Sequence, residues 1–201
     1  RLRSAYELMP LRSVYLLTGY NRRSYEQSRD SNGFDRNSSG VTIGPGLRYD
    51  ISGILLVDLF VGWRRQDIAD PRLGTVNAAV AEARIAWNVT RLTTISGSLL
   101  RDLNETTVPN ASSYIATRVE LRADHELLRN LLLDARLGYE QDAFQGIERT
   151  DNYYIAGLGA KYLVNCVFSV SGGYGYRERD SDAAGTDFTE HTVSLRLNTQ
   201  F

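Results

Sequence analysis

Residues Thr189 to Phe201 read TEHTVSLRLNTQF. From Val193 onward, Val193, Leu195, Leu197, Thr199 and Phe201 alternate with the polar Ser194, Arg196, Asn198 and Gln200. Strict period two puts one set on each face of a β-strand. The stretch runs out on an aromatic ring with no polar tail. In water an apolar edge of this kind invites aggregation, whereas a strand that closes a cylinder inside lipid leaves no edge to aggregate. The rest of the chain decides between the two.

Composition narrows the choice. A length of 201 residues fits one domain or two small ones. With 42% hydrophobic residues and a mean hydropathy of −0.31 there is no long apolar run, which excludes membrane helices. A membrane barrel needs only every second strand residue to be apolar. A net charge of −1 argues against a nucleic-acid partner. Of the 23 basic residues all but Lys161 are arginine. The single cysteine, Cys166, forms no disulfide within the chain and matches no metal spacing, and no cofactor motif is present. No initiator Met or signal peptide opens the chain, which begins mid-pattern at Arg1. The expectation is the C-terminal portion of a larger barrel, residues 1–201, lacking its N-terminal strands and signal peptide.

Turn-rich stretches divide the chain into eleven alternating segments, near 1–8, 11–26, 40–50, 54–67, 78–88, 92–102, 113–124, 130–141, 152–163, 167–179 and 189–201. Short connections (9–10, 51–53, 89–91, 125–129, 164–166) alternate with long polar ones (27–39, 68–77, 103–112, 142–151, 180–188). Short turns at one end and long loops at the other are the pattern of an up-and-down transmembrane β-barrel. Tyr6, Tyr49, Trp87, His125, Tyr162 and Phe201 close alternate segments at spacings of 43, 38, 38, 37 and 39 residues. A repeat of that size holding two long strands is a hairpin. Tyr20, Trp63, Tyr139, Tyr174 and Tyr176 answer at the other end. Two girdles of amphipathic rings match two membrane interfaces. An odd number of segments, with the last descending to the periplasm, leads us to expect at least one further strand upstream. Pro45, within Gly44-Pro45-Gly46, leads us to expect a bulge or bend.

The face that carries the rings is apolar and uncharged through its middle, with Val57, Leu59, Val61, Ile85, Val119, Leu121 and Leu137 among its members. The other face carries Arg48, Asp58, Arg64, Glu82, Arg84, Arg118, Glu120, Arg122, Asp134, Arg136, Glu140, Lys161, Arg177 and Arg196. A basic residue on the lipid side at mid-membrane costs about 2–4 kcal/mol, while one facing a wet lumen costs little. These fourteen are therefore expected to line a lumen. Nine of them are basic and five acidic, which points to mild anion preference. Across neighbouring strands Arg84 is expected near Asp58, Arg118 and Arg122 near Asp134 and Glu140, and Glu120 near Arg136.

Several stretches together resemble the putative β-barrel porin 2 family: YNRRSYEQSRDSNGFDRNSSG (20–40), GLRYDISGILLVDLFVGWRRQDIADPRLG (46–74), DHELLRNLLLDARLGYE (124–140) and GLGAKYLVNCVFSVSGGYGYRERDSD (157–182). The resemblance covers nearly the whole chain. It implies an outer-membrane barrel of Gram-negative bacteria with a channel or envelope-export role, and it supplies no catalytic motif. The ending Val193, Leu195, Leu197, Phe201 is similar to the terminal signature that marks such barrels for assembly. The partners this implies are outer-membrane lipid, lipopolysaccharide, the barrel assembly machinery and envelope polysaccharide export components. Cys166 departs from the pattern, since it stands where a turn would carry a polar residue.

Other chemistry is weakly represented. His125 fills a girdle position. His191, near Asp187 and Glu190, could serve a rim enzyme as a general base, but its parity points it outward. Asp30, Asp35, Asp180, Asp182 and Asp187 could bind Ca²⁺ or bridge lipopolysaccharide phosphates, yet they sit among Asn, Ser and Gly as turn residues do. The expectation is a non-enzymatic channel. The alternative is a barrel filled by its own side chains whose loops bind a partner.

Overall fold

The computed structural model of the chain describes residues 1–26, 29–30 and 33–200, so Phe201 lies outside the described residues. Eleven strands run in chain order: β1 (Leu2–Met9), β2 (Arg12–Arg23), β3 (Ser38–Ile51), β4 (Leu55–Ile68), β5 (Thr75–Asn88), β6 (Thr93–Asn104), β7 (Ser113–Leu128), β8 (Leu131–Gln145), β9 (Thr150–Leu163), β10 (Phe168–Ser181) and β11 (Phe188–Thr199). Each pairs antiparallel with the next in a single eleven-stranded sheet. The sheet is not closed, and β1 and β11 are its two edges. The tight ends depend on backbone that few side chains adopt. Leu11 (φ 67°) turns β1 into β2, and Ser52 with Gly53 (φ 53° and 69°) turns β3 into β4.

The strands run further than their apolar cores suggest. β7 continues to Leu128, with a register shift between Glu126 and Leu128, so residues expected in a turn from His125 onward are strand. Likewise β8 and β9 extend until only residues 146–149 separate them, where a longer loop was expected. Gly146, at φ 95°, makes that tighter turn. Pro45 does not form a bulge. Pairing of β3 with β4 lapses at Gly44 and Pro45 and resumes at Gly46↔Phe60 in the same register. Proline lacks the donor for that ladder, and backbone proximity does the rest. A Cβ on Gly44 would lie 2.1 Å from the Val61 carbonyl oxygen.

Because paired residues of a sheet share a face, the register fixes both sides. Leu195 and Val193 (each 82% exposed), Leu197, Leu137, Leu158, Val61 and Leu121 stand exposed on one side. The opposite, inner side holds a buried cluster that the sequence did not disclose, Tyr15, Phe60 and Val80 with Leu17. A second joins Val76, Ala78 and Ile68 to Leu103 and Ile115, beyond the last β5–β6 pair at Ala81↔Arg101 and on the other parity of β6 and β7.

The inner face as candidate functional site

All fourteen residues expected in a lumen fall on the inner side. One row of paired residues runs Arg48, Asp58, Arg84, and a second runs Glu82, Leu100, Arg118, Glu140. Further rows join Arg122 to Arg136, and Lys161 through Ser171 to Arg196. Arg64 pairs with Thr42, Asp134 with Gly159, and Glu120 leads across Gly138 and Ile155 to Arg177. The ring residues fall on the other side. Tyr6, Tyr20, Trp63, Trp87, Tyr162 and Tyr174 are exposed there. The Arg12 guanidinium lies 4.5 Å from the centre of the Tyr49 ring, and Tyr139 packs against Tyr154 with ring centres 5.5 Å apart and planes tilted by 46°.

Two halves of the inner face differ. From β2 to β6 its upper part is packed, while toward the short turns a pocket of about 390 Å³ opens beside Arg48, Asp58, Arg84 and Ser98. Gly46 leaves the space that the Tyr15 ring fills, since a Cβ there would lie 2.0 Å from the ring. The Tyr15 hydroxyl donates to Asp58 Oδ1 at 2.7 Å, and the Arg3 guanidinium covers the ring at 3.5 Å. Asp58 also takes Arg3 at 3.4 Å and Arg48 at 3.8 Å. Arg84, although directly opposite Asp58, instead meets Glu82 at 2.5 Å. Arg64 is buried at 5% exposure, pairs with Asp102 and donates to Thr42 Oγ1 (2.9 Å) and the Leu103 carbonyl (3.3 Å).

Loop residues seal the upper end of this half. Arg36 donates to the Ala111 and Val108 carbonyls at 2.8 and 3.3 Å and pairs with Asp30 at 2.8 Å. Glu105 gathers Tyr25, Arg23 and Ser38. Asp70 accepts from Arg72 at 2.6 Å and from the Asp35 amide at 3.1 Å, and Arg72 reaches the Gly33 carbonyl at 2.7 Å. The Arg72 guanidinium holds the Asp70 carboxyl well below the usual carboxylate range.

From β7 to β11 the inner face is open and forms a groove of about 790 Å³. Arg118 and Glu140 form a forked pair at 2.7 Å. Arg122 meets Asp124 at 2.7 Å and Asp134 at 3.7 Å. The expected contact of Glu120 with Arg136 does not form. Glu120 is level with Gly138, and Arg136 lies along Gly157 instead, where a Cβ would come within 2.7 Å of its Nε. Above the groove Asp151, at 1% exposure, takes Arg149 at 2.9 Å, Arg179 at 2.6 Å and the Ser181 hydroxyl at 2.5 Å. Asp102, Asp151 and Arg179 were not named from the sequence: Asp102 and Arg179 stand at the last positions of their segments, and Asp151 falls one residue outside its own. Continued parity from Leu100, Tyr153 and Arg177 would have found them.

The remaining candidates resolve simply. His191 faces outward and bonds the Tyr174 hydroxyl at 2.7 Å. Its neighbour Glu190 is on the inner face, and Asp187 accepts from the Ser181 amide at 2.8 Å. His125 bonds Thr93 at 3.0 Å. Asp35 and Asp182 likewise accept from the amides of Asn37 and Thr150, as turn carboxylates do. Cys166 is exposed.

An antiparallel up-and-down sheet with an apolar outer face, ring girdles and a charged inner face is the architecture of outer-membrane β-barrels. The family described as "putative beta-barrel porin 2" matches residues 1–201, and the chain belongs to it. Among solved structures the chain is similar to a loop L8 deletion mutant of OmpT, an outer membrane protein of Vibrio cholerae, with 12% identity and a TM-score of 0.54. That match covers 94% of this chain and 62% of the other, so the chain spans less than two thirds of that structure's length. It is also similar to the NanC porin, with 11% identity and a TM-score of 0.48 over 99% of this chain and 98% of that one. No curated protein matches.

Proposed function

We propose that the protein is a non-enzymatic channel of the bacterial outer membrane that passes hydrophilic solutes across its charged inner face. The observation that carries this reading is the open groove of β7–β11, walled by Arg118, Arg122, Arg136, Glu120 and Glu140 on a barrel whose other face is apolar. A wet, charged path of this kind sets ion preference by the sign and spacing of its side chains. The inner face also holds Asp102, Asp124, Asp151 and Glu190 beyond the nine basic and five acidic residues assigned from sequence. Along the groove itself, however, five arginines stand against four carboxylates, a small excess that favours anions. β11, with Val193, Leu195 and Leu197 exposed, is a surface for the barrel assembly machinery, with lipid and lipopolysaccharide around the girdles. Conductance of the full-length protein in planar bilayers tests the reading. Steps in current with an anion-selective reversal potential in a salt gradient are expected, and an intact barrel that never conducts would sink it.

The packed half supports a second reading. Tyr15, Phe60 and Val80 fill the inner side of β2–β5, and the pinned loops cap the half. A non-conducting barrel with partner-binding loops would show this filling all the way round.

A further inference from the structure

We propose that the groove of β7–β11 contains a carboxylate-binding subsite centred on Arg136, suited to small hydroxylated monocarboxylates. The inference rests on the inner face being a wet lumen; it does not require net passage of ions.

The register creates an uncompensated charge. Arg122 is directly opposite Arg136, and Asp124 directly opposite Asp134. Like charges facing each other across strands repel, and in each row the repulsion must be relieved by diagonal contacts. Arg122 takes both aspartates, at 2.7 and 3.7 Å. Among the described residues Arg136 is left with no carboxylate in ion-pair contact. Its side chain runs along the wall over Gly157 toward Gly175, and its Nη2 lies 4.0 Å from where a Gly175 Cβ would be. Gly157 and Gly175 face one another across β9 and β10, so no side chain stands between the guanidinium and the groove. An arginine of this kind presents a planar fork of donors, which matches a carboxylate.

The surroundings define the ligand further. Arg177 and Arg196 line the same groove, and no carboxylate is in ion-pair contact with either among the described residues. Arg177 packs against the rings of Tyr153 and Phe188, at 4.9 and 5.7 Å. Glu120 and Glu190 face the groove in the row next to Arg136. Fixed negative charge there repels a dianion such as phosphate more than a monoanion, and it accepts hydrogen bonds from solute hydroxyls. Ser171, Ser194 and Thr192 add hydroxyls along the same wall.

The test is calorimetric titration of the full-length barrel in detergent with gluconate, with inorganic phosphate as the second probe. The expected result is saturable gluconate binding that weakens about tenfold in Arg136→Gln, the loss typical of a charged hydrogen-bond partner. Phosphate should bind more weakly than gluconate. Gly157→Ala changes no charge but crowds Nε and the side-chain stem, so it should also weaken gluconate binding. Arg65→Gln, on the outer face, should leave binding unchanged. Absence of saturable binding to the folded wild-type barrel overturns the proposal, as does an Arg136→Gln variant that binds as well as wild type. Phosphate binding tighter than gluconate also overturns it. A barrel that binds gluconate but carries no current keeps the subsite and removes the channel reading. One that conducts without binding gluconate does the reverse.

Discussion

The two halves of the inner face are made from the same alternating strands, yet the upper part of one is packed and the other is open. In β2–β6 the glycines admit rigid partners: Gly46 takes the Tyr15 ring, and Gly44 lets β3 come against the Val61 carbonyl. In β8–β10 the glycines admit the ends of flexible charged chains, Arg136 over Gly157 and Asp134 over Gly159. Glycine thus does opposite things in the two halves. In the first it removes space from the lumen, and in the second it supplies space to it. Rigidity and solvent access then follow from what fills the gap.

The contrast is sharpest at Arg64, buried against Asp102, Thr42 and Leu103. Arg64→Ala strands Asp102 and should cost about 3–5 kcal/mol, as breaking a buried ion pair does. Urea unfolding of the barrel in detergent measures it. A loss below 1 kcal/mol would mean that the packed half is as wet as the groove. Gly44→Ala should come next, at about 2–3 kcal/mol, because its new methyl meets backbone that cannot rotate away.

These two residues mark the line between what was legible and what was not. Strand number, antiparallel order and the division of residues between faces follow from period two and from the ring spacing. Apart from the register shifts at the turn ends of β1 and β7, parity holds along the strands because slipping one residue would reverse both faces. Arg64 could be assigned to the inner face in this way, but its burial could not. Burial depends on Asp102 of a different hairpin and on loops folding over it. Arg136 was likewise placed on the inner face but given the wrong neighbour. Cross-strand registers differ by hairpin, and alternation says nothing about which row meets which. Phe60 shows a third limit. Beside Asp58 and Arg64 it shares an inner face read there from its charges, and no local pattern separates an aromatic that fills a lumen from one that faces lipid.

The capping loops offer a probe by pH. The Asp70 carboxyl is held low by Arg72, outside the membrane-spanning strands. A depressed carboxyl contributes stability that is present above its unfolded value, near pH 4, and lost only as pH falls through its folded value. Amide exchange in residues 69–74 should therefore stay slow from pH 7 to about pH 3, then quicken in stronger acid. In Asp70→Asn it should be fast throughout. Loosening of the wild-type loop with a midpoint at pH 4 or above would show that the Arg72 contact does not hold it. No counterpart is expected at the shorter turn of residues 146–149, where Asp151 is fixed from inside the sheet by Arg149 and Arg179.

The smallest effects belong to the open half and its border. A methyl at Gly159 would fall 2.3 Å from Asp134 Oδ1, a closer approach to that atom than the one Gly157 makes to Arg136 Nε. The atom in its way is the far end of a side chain whose partner, Arg122, is 3.7 Å distant and already satisfied by Asp124. Asp134 can turn into the groove at little cost. Gly159→Ala should therefore change unfolding free energy by less than about 0.5 kcal/mol, the range of substitutions with room to relax. Arg84→Ala should do the same, since Arg84 is 74% exposed in its side chain and its pair with Glu82 is screened by solvent. The comparison with Gly44→Ala is decisive because both changes add one methyl to an inner-face strand glycine. Equal losses would mean that the groove wall is as tightly packed as the filled half, and the open volume beside Arg136 could not then admit a solute.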